Sequence, residues 1–240
     1  MIRIGVLAWL ASVLFAPTRG FAQLSSDSAG VSDLPLVELP CGSDQGRTLA
    51  LVISGDGGWM GLSKGVARGL ADHGIAVVGL DARSYLGTPR TPEQVATDVS
   101  RVLHHYLAAW HRDRVIIVGH SRGADIAPFV VNRLPADLRS RIDLVAMLGL
   151  GQHAGFHVGF FDVLHTTTKS SDPPVAPEIV ALRSQHVPMV CEYGVRERES
   201  YCREAPEGMM LRVAKTGGHH FDGDYAAVAR DILALLDRES

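Results

Sequence analysis

The sequence predicts an α/β fold, a mostly parallel central sheet with helices on both faces, in a single domain. Three observations carry this expectation. Apolar runs of strand length, Thr48–Ile53, Ile75–Leu80, Val115–Val118 and Asp143–Leu148, alternate with segments whose apolar residues recur at helical spacing. Several runs lead directly into glycine-bearing loops, as expected where a parallel sheet gathers functional residues at its strands' carboxyl ends. Finally, 240 residues with 46% hydrophobic content supply one sizeable core and leave no room for a second domain.

At the amino terminus, Arg3 is followed by an apolar run from Ile4 to Ala16, then Pro17 and the small-residue site Gly20-Phe21-Ala22. A charged start, a short apolar stretch and a cleavage site define residues 1–22 as a secretory signal peptide. The alternative is an uncleaved anchor, but the run is short for a bilayer. Residues 23–33 are small and polar and read as a flexible leader, so the domain occupies 34–240. Loss of Arg3 and Arg19 takes the formal charge from −3 to −5, a poor match for nucleic acid. Of Cys41, Cys191 and Cys202, the last two flank a strand end and its loop, and they are the expected disulfide pair in an exported chain. Three buried thiols are the alternative.

Leu34–Leu39 is an edge strand interrupted by Pro35, and Thr48–Ile53 is a buried strand running into Ser54-Gly55-Asp56-Gly57-Gly58-Trp59. A helix from Leu62 to Asp72 ends at His73-Gly74, and Ile75–Leu80 is the next strand. Asp81–Arg90 reads as a loop. Thr91-Pro92-Glu93 opens a helix, threonine as cap and proline at the first position, which apolar spacing carries to Trp110. His104, His105 and His111 lie on that stretch without acidic or cysteine partners at a metal-binding spacing, so they are helix-face residues and no metal or other cofactor is expected. Beyond the Asp143–Leu148 strand, residues 149–177 are rich in glycine, phenylalanine and histidine and form either an apolar lid or a hairpin packed on the core. Ala176–Ser184 reads as a helix, Pro188–Tyr193 as a strand, Gly194–Cys202 as a charged loop, Met209–Ala214 as the last strand and Tyr225–Leu236 as the closing helix.

The centre of the chain is Gly119-His120-Ser121-Arg122-Gly123, set between a β-branched run and a helical pattern. Gly-x-Ser-x-Gly between strand and helix is a nucleophile elbow, which lifts the Ser121 hydroxyl to a helix N-terminus. Alone, the pattern is equally a helix cap. A serine nucleophile needs a base, and the base needs a carboxylate to orient it. In the α/β-hydrolase order of serine, acid, histidine, the acid follows a late strand and the histidine the last one. Glu197 and Glu199 stand behind Gly194, and His219 and His220 behind Gly217-Gly218. The spacing favours Glu197 and His219, with Glu199 and His220 as alternatives. The oxyanion donors are the amides of Asp56 or Gly57 and of Arg122.

The segments Ser54–Trp59, Arg90-Thr91-Pro92-Glu93, Gly119–Asp125, Asn132-Arg133-Leu134-Pro135 and Gly217–Tyr225 resemble the VirJ/AcvB family of bacterial virulence proteins, from about Thr48 to the C-terminus. The resemblance implies a periplasmic α/β hydrolase of aminoacylated, especially lysylated, phosphatidylglycerol, with contact to the membrane surface and a link to type IV secretion proteins. For a cationic aminoacyl group, Asp56, Asp125, Asp222 and Asp224 are the carboxylates placed to recognise it, each with a structural alternative as a loop or helix cap; Trp59 and Phe156 complete the expected substrate-binding set. The competing readings are a hydrolase of another ester or thioester and a noncatalytic component of a secretion machine.

Overall fold

The computed structural model describes residues 30–41, 46–159 and 171–236. The proposed signal peptide and most of the leader lie outside these residues. Seven strands form one sheet: β1 Leu36–Leu39, β2 Thr48–Ile53, β3 Ala76–Leu80, β4 Arg114–His120, β5 Ile142–Leu148, β6 Met189–Gly194 and β7 Leu211–Lys215. Their order is β1-β3-β2-β4-β5-β6-β7, and every pairing is parallel except β1 with β3. Strands β2 to β5 are nearly continuous apolar runs because both of their faces are covered.

Alternation along each strand divides the core in two. Leu49, Leu51, Ile53, Val115 and Ile117 face α3 (Pro92–Ala109) and α4 (Arg122–Arg133), together with α6 (Ala176–Ser184). Ala50, Val52, Ile116 and Val118 face α1 (Gly61–Asp72) and α8 (Tyr225–Leu236). Helix α3 starts where the sequence predicts, with Thr91 and Gln94 in a reciprocal capping box and Pro92 in the first turn.

The chain runs from β2 to β3 on one side, then through α3 to β4 on the other, so strand order reverses between β2 and β4. Their carboxyl ends are level, with Ile53 opposite Gly119, and the loops leaving them flank one crevice.

Several segments differ from expectation. Within Asp81–Arg90, the Asp81 carboxylate caps a short α2 (Ala82–Tyr85), and Gly194–Cys202 runs into α7 (Tyr201–Glu204); α5 (Ala136–Arg139) is a further short helix. Four-residue helices hold too few positions to show a period. Residues Gly30–Asp33, assigned to the flexible leader, dock on α3: Val31 is 1% exposed and Arg101 binds both Gly30 and Asp33. After β5, the arms of the 149–177 segment pair through His153 and Pro174, and Ala154, Val158 and Val175 enter the core, so these arms pack like a hairpin. The middle of that segment, 160–170, lies outside the described residues.

Candidate active site

Ser121 links β4 to α4 with φ 53° and ψ −119°, a strained conformation for a residue with a Cβ. The turn is held by the Ser121 amide on Leu148 O at 2.8 Å and the Asp125 amide on Ser121 O at 3.0 Å. Both elbow glycines are sterically required. A Cβ on Gly119 would collide with the Gly123 carbonyl, and one on Gly123 with the Ile53 carbonyl.

The loop after β2 folds as a turn, Gly58 N donating to Gly55 O at 2.9 Å. The amides of Asp56 and Gly57 then find no acceptor among the described residues, nor does the Arg122 amide in the first turn of α4. The two loops are joined by a buried bidentate ion pair, Arg122 Nε to Asp56 Oδ1 at 2.8 Å and Nη2 to Oδ2 at 2.9 Å. Burial opposes the guanidinium charge, but Asp56, helped by Asp125 and Asp172, outweighs it and holds the Arg122 pKa above its ordinary value.

His219 follows β7, and its Nδ1 lies 2.6 Å from Glu197 Oε1. Glu197 is positioned by a tight turn after β6: its amide donates to Gly194 O at 2.9 Å, and Gly194 N donates to its Oε2 at 3.3 Å. Burial alone would depress the His219 pKa; the Glu197 hydrogen bond and charge, with Asp125 and Asp56 behind them, raise it above the ordinary value. Among the described residues His219 Nε2 is buried without a partner, and no hydrogen bond joins Ser121 Oγ to either histidine. Glu199 lines the same cavity but bonds neither histidine, and the His220 pKa is lowered by burial and by His219.

These loops surround a cavity of about 1020 Å³ that includes Asp56, Gly57, Ser121, Arg122, Asp125, Glu197, His219 and His220 in its wall. Two expected binding residues are not part of that wall. The Trp59 ring lies against Gly79 of β3, where a Cβ would overlap it, and Phe156 packs edge-to-face on Phe129 with centroids 5.4 Å apart. An aromatic beside a glycine loop is drawn to the nearest apolar recess, here the bare backbone of a strand glycine for Trp59 and the Phe129 ring of the core for Phe156. Met60 and Tyr225 take their places at the cavity.

Three features escape a reading of the sequence. Gly149 has φ 68°, and a Cβ there would stand 2.7 Å from His219 Cε1, so the His219 ring rests on bare backbone. Only the Gly149-Leu150-Gly151 spacing after a strand signals this. His120 Nδ1 lies 3.4 Å from Ser63 Oγ, and its ring stands 5.5 and 5.8 Å from those of His219 and His220. Burial, then the two neighbouring imidazoles, push the His120 pKa down to about 3, so it stays neutral. The Arg122 side chain is the third, because its role depends on a partner on another loop.

Cys191 and Cys202 form a disulfide that ties β6 to α7 on either side of the Glu197 arc, while Cys41 is a thiol that accepts from Arg112 Nη2 at 3.3 Å. His104 pairs with Asp137 at 3.0 Å, and among the described residues no group of side chains could hold a metal ion.

Several solved structures share this architecture. Est1E from Butyrivibrio proteoclasticus matches with a TM-score of 0.58 and 13% identity, over 84% of this chain and 93% of that one. MenH from S. aureus gives a TM-score of 0.59 and 11% identity, over 85% and 98%. A thioesterase domain from the curacin biosynthetic pathway gives 0.56 and 18%, over 82% and 94%. At such identities the likeness speaks for the fold, which is that of the α/β-hydrolases. A search of curated proteins returns no match. The family described as "Bacterial virulence protein (VirJ)" matches residues 47–240, and the chain therefore belongs to the VirJ family of bacterial virulence proteins.

Proposed function

We propose that this protein is a periplasmic serine hydrolase of carboxylic esters, acting on aminoacyl, especially lysyl, esters of phosphatidylglycerol. The observation that carries the hydrolase reading is the Glu197–His219 pair at 2.6 Å, which shares one cavity wall with Ser121 on its strained turn and whose Nε2 has no partner among the described residues. Ser121 Oγ attacks the ester carbonyl while His219 Nε2 takes its proton, and Glu197 stabilises the imidazolium through Nδ1. The carbonyl oxygen gains its negative charge among the amides of Asp56 or Gly57 and Arg122, each worth on the order of a hundredfold in rate. His219 returns the proton to the departing alkoxide, leaving Ser121 acylated. Water, deprotonated by the same nitrogen, then frees the acid and restores the hydroxyl.

The fold of esterases and a thioesterase among the similar structures is consistent with this chemistry. The Cys191–Cys202 disulfide supports an oxidising compartment. The lipid substrate, the membrane contact and the secretion partners rest on the family resemblance, and the carboxylates of the cavity wall support only the cationic aminoacyl group.

A fluorophosphonate probe tests nucleophile activation without a chosen substrate. The label is expected on Ser121 and absent from Ser121→Ala, which also loses p-nitrophenyl ester turnover while keeping its fold. Unchanged turnover in that variant removes Ser121 from the mechanism, and a folded wild type that is neither labelled nor active favours the noncatalytic alternative. Lipid extracts with lysyl-phosphatidylglycerol intact after incubation with labelled-competent enzyme reject the lipid substrate alone.

A further inference from the structure

Four aspartates lie near the reacting groups in sequence, and the structure commits three of them elsewhere. Asp56 gives both oxygens to Arg122, Asp222 accepts from Arg196 at 2.7 Å, and Asp224 caps α8 through the Ala227 amide at 3.0 Å. Asp125 differs. It is 5% exposed and lines the cavity one helical turn beyond Ser121. Its Oδ1 accepts the Gly151 amide at 2.7 Å, while Oδ2 accepts no hydrogen bond among the described residues.

A carboxylate this buried, with one oxygen left without a donor from the described residues at the wall of the cavity, is better stabilised by a ligand that donates to it than by cavity water alone. The cost registers in its pKa. Burial pushes Asp125 up to about 7, against the opposing pull of the Gly151 amide, Arg122 and His219, and Asp56 adds to the rise. Arg122 cannot discharge the site, since Asp56, Asp125 and Asp172 all act on that one guanidinium. The surroundings therefore favour an additional positive charge. Because Asp125 stands within a turn of the nucleophile, the group it meets belongs to the part of the ester that becomes bonded to Ser121.

We propose that Asp125 Oδ2 receives an ammonium group on the acyl part of the ester, and that this contact selects amino acid esters over uncharged ones. The inference rests on the hydrolase reading and assigns its specificity to one oxygen atom.

The test compares p-nitrophenyl esters of alanine and of isobutyric acid, which have the same shape and differ by ammonium in place of methyl. Each kcat/KM is divided by that ester's hydroxide-catalysed rate, which removes the activating effect of the charge. Wild type should favour the alanyl ester by about tenfold or more. Asp125→Asn keeps an oxygen for the Gly151 amide, and it should lose most of that preference, whatever loss the two esters share. As a measurement independent of any variant, alaninamide should inhibit wild type at least about tenfold more strongly than isobutyramide. Equal corrected rates and equal inhibition by wild type overturn the inference and leave the hydrolase reading intact. So does an Asp125→Asn protein that slows both esters equally. A wild type that hydrolyses neither ester and takes no fluorophosphonate label ends the hydrolase reading, and this inference with it.

Discussion

Glu197→Gln is isosteric, yet the hydrogen bonds around it convert a change of one atom into a change of tautomer. In the native site Gly194 N donates to Oε2 at 3.3 Å while Oε1 faces His219 Nδ1 at 2.6 Å. A glutamine has one acceptor atom. Pointing its NH2 at the Gly194 amide would set two donors face to face, at a cost of about 1–3 kcal/mol. The favoured orientation therefore turns the oxygen to Gly194 and the NH2 to Nδ1, which becomes an acceptor and leaves the imidazole proton on Nε2. A base protonated on Nε2 cannot accept from Ser121, and kcat should fall by roughly 10³- to 10⁴-fold. The pH dependence gives a second reading. Burial lowers the His219 pKa and Glu197 raises it, so without the negative charge the acid limb of the kcat/KM profile should move to lower pH. The assay is p-nitrophenyl ester hydrolysis between about pH 5 and 9, with thermal melts to confirm folding. Stability follows the same sign. A folded pKa above the unfolded value, about 6.5, means that the ion pair stabilises fully below that pH and is lost as pH rises through the folded value. The variant should therefore trail wild type in stability most clearly at the acid end. A kcat within about tenfold of wild type, or an acid limb displaced upward, refutes the tautomer argument.

Two further outcomes follow from contacts at the edges of the site. Gly149→Ala places a methyl carbon 2.7 Å from His219 Cε1 at a backbone φ of 68°, so a displaced ring should cost about 100-fold in kcat with the fold retained, as steady-state kinetics beside circular dichroism can check. Asp56→Asn takes from the buried Arg122 its bidentate partner, leaving Asp125 and Asp172 to act on it, and should destabilise the protein by about 1.5–3 kcal/mol in urea unfolding, whereas the double replacement Asp56→Leu with Arg122→Met should recover most of the loss.

The parts of this molecule that were legible in its sequence are those decided within a dozen residues. The apolar runs of β2 and β5, the helix start at Thr91-Pro92 and the Gly119–Gly123 elbow each carry their cause locally. The choice between Glu197 and Glu199 was approachable for the same reason, since the distance from Gly194 fixes which carboxylate reaches back into the turn. Contacts between loops were not. Nothing near Arg122 says that its guanidinium finds Asp56, and nothing near Trp59 says that a glycine on another strand will open a shelf for its ring. Periodicity reports which side of an element is apolar but not what it meets. The docked residues Gly30–Asp33 illustrate the same limit, because their small, polar composition hides one valine and one aspartate that α3 captures.

The bridge between Cys191 and Cys202 closes the base of the peptide arc on which Glu197 stands. A covalent rung thereby braces the loop from beneath, beside the hydrogen bonds of its own turn. A thiol-reducing medium would loosen that brace while leaving the serine elbow and the Asp56–Gly57 loop, which belong to other strands, as they were. The bridge thus ties the placement of the Glu197 carboxylate to the redox state of the medium, in addition to the turn that already holds it.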